Sequence, residues 1–156
     1  MPIEIERKFL VSGTQWRTDD GVRCTQGYMA HDKEKTVRVR LTQTKAFLCV
    51  KEFRKGISRM EFEYEIPMED AEHLLKLCNG TLIQKVRHNV MHKGMKWEVD
   101  EFFGDNAGLI VAEVELKAED HIFEKPPWVG QEVTHDSRYS NSSLARNPFN
   151  QWNNNF

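Results

Sequence analysis

Polar and apolar residues alternate with a period of two along most of the chain. In the first segment Glu4, Glu6 and Lys8 alternate with Ile5 and Phe9. Because a β-strand turns successive side chains to opposite faces, the pattern predicts strands rather than helices. Eight segments are predicted as strands, at residues 3–11, 22–29, 36–42, 46–53, 59–66, 82–92, 95–102 and 109–117.

The segments between the strands indicate an antiparallel meander. Turn-forming residues at 18–21, 31–33, 54–56 and 92–94 fit short connections between consecutive strands. A helix is predicted from Pro67 to Cys78, with Asn79 and Gly80 ending it. Two short helices are predicted at 118–124 and 139–146, and residues 147–156 are expected to form a flexible C-terminal tail. Residues 1–146 are then a single domain.

The charged residues of later strands also share one face of each strand. They are Arg38 and Arg40, then Glu61, Glu63 and Glu65, then Lys85 and Arg87, then Glu98 and Asp100, and finally Glu113 and Glu115. Helices and termini can cover only one side of such a sheet, so the apolar faces should lie beneath them. The predicted fold is mainly β (α+β), an eight-stranded antiparallel barrel or tunnel with a charged lumen and a few helices packed outside.

A single charged pair at strand spacing is usually a solvated strand face. Five or more such faces on successive strands have a different meaning, because closing a barrel brings faces of the same parity together. Unpaired charges in a dry interior cost several kcal/mol each. A hydrated lumen filled either by a ligand or by a lattice of ion pairs is therefore expected.

Composition narrows the function classes. The chain has 156 residues with 22 Lys and Arg against 24 Asp and Glu, a formal net charge of −2, which disfavours a general nucleic-acid-binding role. Cys24, Cys49 and Cys78 form no C-x-x-C pair and are expected to be reduced. No apolar run reaches about 18 residues, so neither a membrane span nor a membrane partner is expected. The cytoplasm is the expected location.

The mixture of charges indicates which ligand suits the lumen. Lys and Arg neutralise phosphate oxygens, whereas clustered carboxylates require cations. A polyphosphate with Mg²⁺ or Mn²⁺ satisfies both sets, and the absence of Cys or His ligand clusters disfavours zinc. His88 and His92 lack a third ligand, and the chain contains no phosphate-binding G-x-x-x-x-G-K-[ST] loop.

The motif Glu4-x-Glu6-x-Lys8 resembles the N-terminal signature of the CYTH, or triphosphate tunnel metalloenzyme, family. Later motifs are similar to the family's successive tunnel motifs: Arg38-x-Arg40, Lys51, Ser58-Arg59 with Glu61-x-Glu63, Lys85-x-Arg87, Asp100 and Glu113-x-Glu115. Residues 126–130 and 138–141 resemble the C terminus of its short bacterial members. The resemblance covers most of the chain and implies an eight-stranded antiparallel tunnel that binds triphosphates with a divalent metal.

The same resemblance implies roles for individual residues. The implied metal-binding residues are Glu4, Glu6, Glu113 and Glu115. The implied catalytic carboxylates are Glu4, Glu6, Glu61, Glu63 and Asp100. The implied phosphate-binding residues are Lys8, Arg38, Arg40, Lys51, Lys85, Arg87 and Arg138. Some relatives carry Lys just before the Arg-Tyr pair, where this chain has Ser137.

The leading hypothesis is metal-dependent hydrolysis of a triphosphate, above all inorganic tripolyphosphate, to phosphate and pyrophosphate. An adenylate cyclase that converts ATP to cyclic AMP and pyrophosphate is the first alternative, and thiamine triphosphatase is another. A module that binds polyphosphate without catalysis is a third, although carboxylates beside an anion argue for a metal. The sequence leaves the formation of a homodimer open.

Overall fold

Nine strands, two α-helices and three short 3₁₀ helices make up the regular structure of the described residues. The computed structural model describes residues 3–53 and 57–152. Its strands are β1 (Ile3–Val11), β2 (Val22–His31), β3 (Lys35–Leu41), β4 (Ala46–Phe53), β5 (Ser58–Ile66), β6 (Asn79–His92), β7 (Met95–Phe103), β8 (Ile110–Glu115) and β9 (Val129–Glu132). Helix α1 (Met68–Leu75) lies between β5 and β6, and α2 (Asn141–Arg146) follows β9.

The first eight strands close into a ring. Their order is β5-β4-β3-β2-β6-β7-β8-β1, and an additional antiparallel pairing of β1 with β5 joins the two ends. The closing pairs include Glu4 opposite Arg59, while the next residues of β1 pair with β8, with Glu6 opposite Glu115. The predicted antiparallel ring of eight strands is confirmed. Closure leaves no free edge among these eight strands over the paired stretches.

The apolar faces of the strands point away from the lumen and are covered from outside. Aromatic side chains pack on one side of the ring, where Phe9 and Trp97 contact Phe123 and Trp97 also contacts Trp128. Helix α1 covers Val39 and Ala46 with its buried Ala71. The core is therefore distributed around the ring, because each strand offers one apolar face.

Helix α2 rests on β6 at a glycine. Gly80 has a φ of +77°, and a Cβ at this position would lie 2.5 Å from the carbonyl oxygen of Ala145 in α2. Leu144 and Ala145 are buried against Ile83 of β6 and its neighbours. The contact holds α2 against β6, and Asn141 at the start of α2 lines the lumen.

Several local predictions differ from the structure. The predicted helix at 118–124 is a turn followed by irregular chain, because Phe123 packs on the aromatic cluster instead of on a helix face. A ninth strand, Val129–Glu132, was not predicted and pairs with β1. Helix α1 ends at Leu75, and Asn79 already belongs to β6. The predicted turn at 54–56 lies outside the described residues.

The region predicted as a tail begins with ordered structure. Phe149–Gln151 forms a short 3₁₀ helix, and Phe149 and Trp152 pack against the cluster that contains Leu144. The predicted helix at 139–146 is also divided, into a 3₁₀ turn at Ser137–Tyr139 and α2. Residues 153–156 lie outside the described range. None of the described helices is long and apolar enough to cross a membrane.

Candidate functional site: a charged lumen

Inward-facing side chains of the ring line a cavity of about 780 Å³. Over the described residues its basic and acidic side chains are equal in number. The basic ones are Lys8, Lys33, Arg38, Arg40, Lys51, Arg59, Lys85, Arg87 and Arg146, and the acidic ones are Glu4, Glu6, Asp32, Glu61, Glu63, Glu98, Glu113, Glu115 and Asp136. Such a wall suits a ligand that itself carries both signs, as an anion with its cations does.

The arginines of β3 supply free hydrogen-bond donors. Arg38 and Arg40 lie on the same face of β3, as their spacing predicts. The Nε atom of each is buried and, within the described structure, has no hydrogen-bond partner. A buried donor without an acceptor is unfavourable, so these two groups are poised to bind an oxygen-rich anion such as phosphate.

Lys51 of β4 bridges two carboxylates on neighbouring strands. Its Nζ lies 2.8 Å from Oε1 of Glu4 and 3.4 Å from Oε2 of Glu61. Burial opposes the charge of Lys51, but attraction by Glu6 and Glu4 outweighs burial and raises its pKa. Lys51 therefore stays cationic, and the pKa of Glu61 is lowered despite burial because Lys51 attracts its charge.

Two carboxyl groups of β1 lie in surroundings that disfavour their ionised forms. Burial raises the pKa of Glu4 to about 6, and repulsion from Glu61 adds to this effect while Lys51 opposes it. Burial, followed by repulsion from Glu113, raises the pKa of Glu6 well above its usual value. The pKa of Glu113 is lowered despite burial, because Lys8 and Arg87 attract its charge. A cation near Glu4 and Glu6 would relieve this repulsion.

One end of the lumen contains a buried ion-pair cluster. Asp100 accepts hydrogen bonds from Lys85 Nζ at 2.7 Å, from Arg87 Nε at 2.8 Å and from Arg87 Nη2 at 2.9 Å. Lys85 and Arg87 line the cavity, but Asp100 lies behind them and is 2% exposed. The geometry gives Asp100 the task of holding two cations, which differs from the direct catalytic role that the resemblance implied.

Arg138 is the predicted phosphate-binding residue that the structure places apart from the others. It is not among the described residues that line the cavity. Its guanidinium is bound to Asp136, with Nη2 at 2.7 Å from Oδ2, and lies over the ring of Trp152. The position of Arg138 in the Arg-Tyr pair did not reveal which way the side chain points.

Some lining residues were not predicted from the sequence. Cys49 shares the inward face of β4 with Lys51, and Tyr28 lies opposite Arg38 on β2. Because Cys49 is two residues before Lys51 on the same strand, the two side chains share a face, and this spacing would have identified Cys49 as a lining residue. Asn141 at the start of α2 also lines the cavity, and its Oδ1 accepts a hydrogen bond from Gln26 at 2.8 Å. This contact depends on the docking of α2, for which the sequence has no local signal.

A second, smaller cavity of about 300 Å³ adjoins the lumen near the β6–β7 turn. Glu98 and Glu115 line both cavities. Lys96, Lys117 and His121 line the smaller one. Glu98 of β7 and Glu115 of β8 therefore lie at the boundary between the two cavities.

The donor set fits a hard divalent cation that shares its ligands with a substrate. Within residues 3–53 and 57–152, no three Asp, Glu, His or Cys side chains are already gathered into a metal-binding group. Mg²⁺ commonly uses only one or two carboxylates and completes its shell with water and phosphate oxygens. Glu4, Glu6, Glu113 and Glu115 offer such carboxylates around the lumen.

Comparisons with known proteins agree with this geometry. An inorganic triphosphatase of Acetivibrio thermocellus is 49% identical over 148 residues, covering 94% of this chain and 95% of the relative. An inorganic triphosphatase of Nitrosomonas europaea is 37% identical over 147 residues, covering 91% of this chain and 96% of the relative.

Solved structures share the fold. A crystal structure of an inorganic triphosphatase superposes with a TM-score of 0.66 at 34% identity, covering 93% of this chain and 95% of that chain. A protein of Pyrococcus horikoshii at 19% identity has a TM-score of 0.59 over 75% of this chain and 81% of its own, which shows the fold alone. The model of the CYTH domain matches residues 2–148. By this match and by its relatives, the chain belongs to the CYTH domain family.

Proposed function

We propose that this protein is a divalent-metal-dependent triphosphatase that hydrolyses inorganic tripolyphosphate to phosphate and pyrophosphate. The observation that carries the proposal is the combination, in one lumen, of buried arginine donors that have no partner among the described residues with carboxyl groups whose ionisation burial opposes. These arginine donors lack acceptor oxygens, and a triphosphate supplies such oxygens. The carboxyl groups lack enough nearby positive charge to offset burial, and a divalent metal supplies that charge. The two inorganic triphosphatases at 49% and 37% identity support the same activity.

The basic side chains would hold the phosphate oxygens. Arg38 and Arg40 offer their Nε–H groups from β3, and ammonium groups come from Lys51 on the neighbouring strand β4 and from Lys8 on β1. Lys85 and Arg87 would bind from the end at which Asp100 fixes them. Phosphoryl transfer depends mainly on alignment and on stabilising charge in the transition state, and fixed cations supply both. Arg138 has no part in this proposal.

Glu4, Glu6, Glu113 and Glu115 would hold the metal, which we propose to be Mg²⁺ or Mn²⁺. When bound, the ion would polarise a phosphoryl oxygen and neutralise negative charge. Glu61 keeps a lowered pKa beside Lys51, so its ionised carboxylate can accept a hydrogen bond from water. Glu63, which accepts hydrogen bonds from Arg40 and Cys49, is a second candidate for orienting the attacking water.

An inorganic substrate fits the walls better than a nucleotide does. Among the described lining residues, Tyr28 and Phe53 are the two aromatic side chains, and most of the others are charged or polar. Binding a base in a pocket normally involves aromatic or apolar surface. We also propose a cytoplasmic location, in keeping with three free cysteines.

A substrate comparison tests the proposal. Purified protein is incubated with tripolyphosphate, ATP or thiamine triphosphate, each with Mg²⁺, with Mn²⁺ or after chelation. Phosphate, pyrophosphate and cyclic AMP are then resolved. Release of phosphate from tripolyphosphate that requires the metal, and exceeds the release from ATP, is expected. Glu6→Gln should abolish most of it, whereas Glu72→Gln on the exposed surface of α1 serves as the matched control.

Other outcomes would replace the proposal. Cyclic AMP together with pyrophosphate from ATP would make the protein a cyclase, because hydrolysis cannot produce cyclic AMP. Preference for thiamine triphosphate would assign it to that substrate. Tight metal-dependent binding without turnover of any substrate would identify a polyphosphate-binding module.

A further inference from the structure

Cys49 lies at the centre of a row of side chains that crosses three strands. It pairs with Arg38 of β3 on one side and with Glu63 of β5 on the other. All three side chains line the lumen, and Cys49 is 2% exposed. A thiol therefore separates a guanidinium from a carboxylate inside the proposed substrate cavity.

The thiol makes a hydrogen bond to each neighbour. Its Sγ accepts from Nη2 of Arg38 at 3.4 Å and donates to Oε2 of Glu63 at 3.2 Å. The same carboxylate oxygen accepts from Nη2 of Arg40, also at 3.2 Å. Burial raises the pKa of the thiol, so it keeps the proton that it donates to Glu63. Cys49 thus connects the two arginines whose Nε atoms face no protein acceptor in the described structure.

A neutral group at this position has a distinct electrostatic effect. Without a hydrogen-bonding side chain between them, Arg38 and Glu63 face each other across one strand, and an arginine paired with a carboxylate commonly forms two parallel hydrogen bonds. Such a pair would turn Arg38 away from a phosphate. The thiol satisfies one donor of Arg38 and one acceptor of Glu63 without adding a charge.

We propose that Cys49 is a positioning residue that keeps Arg38 and Arg40 oriented for phosphate binding. The inference rests on the proposed function, since it specifies how the same lumen holds its substrate. It predicts that the hydrogen-bonding capacity of residue 49 matters more than its volume. A cysteine that acts only as a small buried apolar side chain would show the reverse dependence.

Three variants at this position separate the two roles. Cys49→Ser keeps a donor and an acceptor, Cys49→Ala removes both, and Cys49→Val removes both while filling the space. Cys24→Ala is the matched control, because Cys24 is also buried on a strand but does not line the cavity. Melting temperatures establish that each variant is folded before its kinetics are compared.

Steady-state kinetics give KM and kcat for tripolyphosphate. In a separate experiment, calorimetry on desalted, metal-free protein gives the Kd for tripolyphosphate. Cys49→Ala and Cys49→Val should raise KM and Kd by roughly three- to tenfold, the range expected for one lost hydrogen bond to a charged or polar group. The change in kcat should be smaller, about twofold or less on the same reasoning. Cys49→Ser and Cys24→Ala should stay within about twofold of wild type in KM and Kd.

Two results would overturn the inference. One is a Kd for the Ala and Val variants equal to that of Cys24→Ala. The other is a Ser variant as impaired as the Ala variant, which would show that volume or stability decides. The binding arm also separates this inference from the proposed function. If wild type binds tripolyphosphate without hydrolysing it, the proposed function fails while the order of the Kd values still tests Cys49.

Discussion

Replacing Asp100 by Asn would leave two cations at one end of the lumen without their counter-charge. The Lys85 side chain is 1% exposed, and its Nζ lies 2.7 Å from Asp100 Oδ2. Arg87 donates to both oxygens of Asp100. An asparagine offers one acceptor oxygen, and its amide N–H groups would face the N–H donors of Lys85 or Arg87. The variant therefore loses an ion pair and creates a donor–donor contact.

The size of the effect follows from burial. Removing one partner of a buried ion pair costs about 3–5 kcal/mol, because the remaining charge is uncompensated. For a domain of this size, each kcal/mol lowers Tm by about 2–4 °C, so Asp100→Asn should lower Tm by about 6–20 °C. The adjacent Glu101→Gln is the matched control, because Glu101 pairs with Arg17, whose side chain is 49% exposed. That surface pair should contribute about 1 kcal/mol or less.

The pH dependence gives the experiment a second readout. Burial favours the neutral acid, but Arg87 and Lys85 outweigh it and hold the pKa of Asp100 below its usual range. A carboxyl group with a lowered folded pKa stabilises the protein above its unfolded pKa, about 4, and this contribution is lost as the pH falls through the folded pKa. The difference in Tm between wild type and Asp100→Asn should therefore be full at pH 7 and narrow below about pH 4.

Thermal unfolding followed by circular dichroism measures both quantities. A Tm for Asp100→Asn within about 2 °C of the Glu101→Gln control at pH 7 would refute the reasoning, because the variant would then cost at most about 1 kcal/mol more than loss of the surface pair. A difference that stays constant from pH 7 to pH 3 would refute the assignment to the charge of Asp100.

Three further changes test other parts of the molecule. Arg38→Ala should raise KM for tripolyphosphate by at least about tenfold, through loss of a charge-assisted hydrogen bond, in steady-state kinetics. In the double variant Glu4→Gln/Glu6→Gln, turnover should fall, and adding Mg²⁺ should no longer raise Tm. Without metal, the variant should have a higher Tm than wild type, because the replacement removes repulsion between buried carboxylates. Gly80→Ala should lower the free energy of unfolding by more than Gly94→Ala, since both have positive φ but only Gly80 meets the carbonyl of Ala145; equal losses in denaturant titrations would contradict the packing argument.

Strand periodicity allowed the ring and much of its lining to be predicted, because the face of each strand residue depends only on parity. That rule placed Arg38, Arg40 and Lys85 in the lumen, and all three line the cavity. The parity of a strand residue does not specify how deeply its side chain is buried or which side chains it binds. Asp100 has the same parity as Glu98, yet it lies behind Lys85 and Arg87 because those two long side chains reach across from β6.

Irregular segments were harder to predict because tertiary contacts determine them. Val129–Glu132 is a short strand whose partner, β1, is more than a hundred residues away in sequence. Phe123 is held by ring contacts with Phe9 and Trp97, so the chain around it is irregular rather than helical. Arg138 points outward because Asp136 and Trp152 bind it locally.

The balance of charges in the lumen implies a conflict between binding and turnover. With basic and acidic residues equal in number over the described walls, a triphosphate entering without metal meets carboxylates as well as cations. Glu6 adds to this repulsion in its ionised form, which burial and Glu113 disfavour, so the benefit of removing its charge should grow as the pH rises. Glu6→Gln should therefore bind tripolyphosphate more tightly than wild type when metal is absent and hydrolyse it more slowly when metal is present. Calorimetry on desalted protein and phosphate release with Mg²⁺ measure the two effects. Weaker metal-free binding by the variant would mean that Glu6 supports the anion site through structure rather than opposing it through charge.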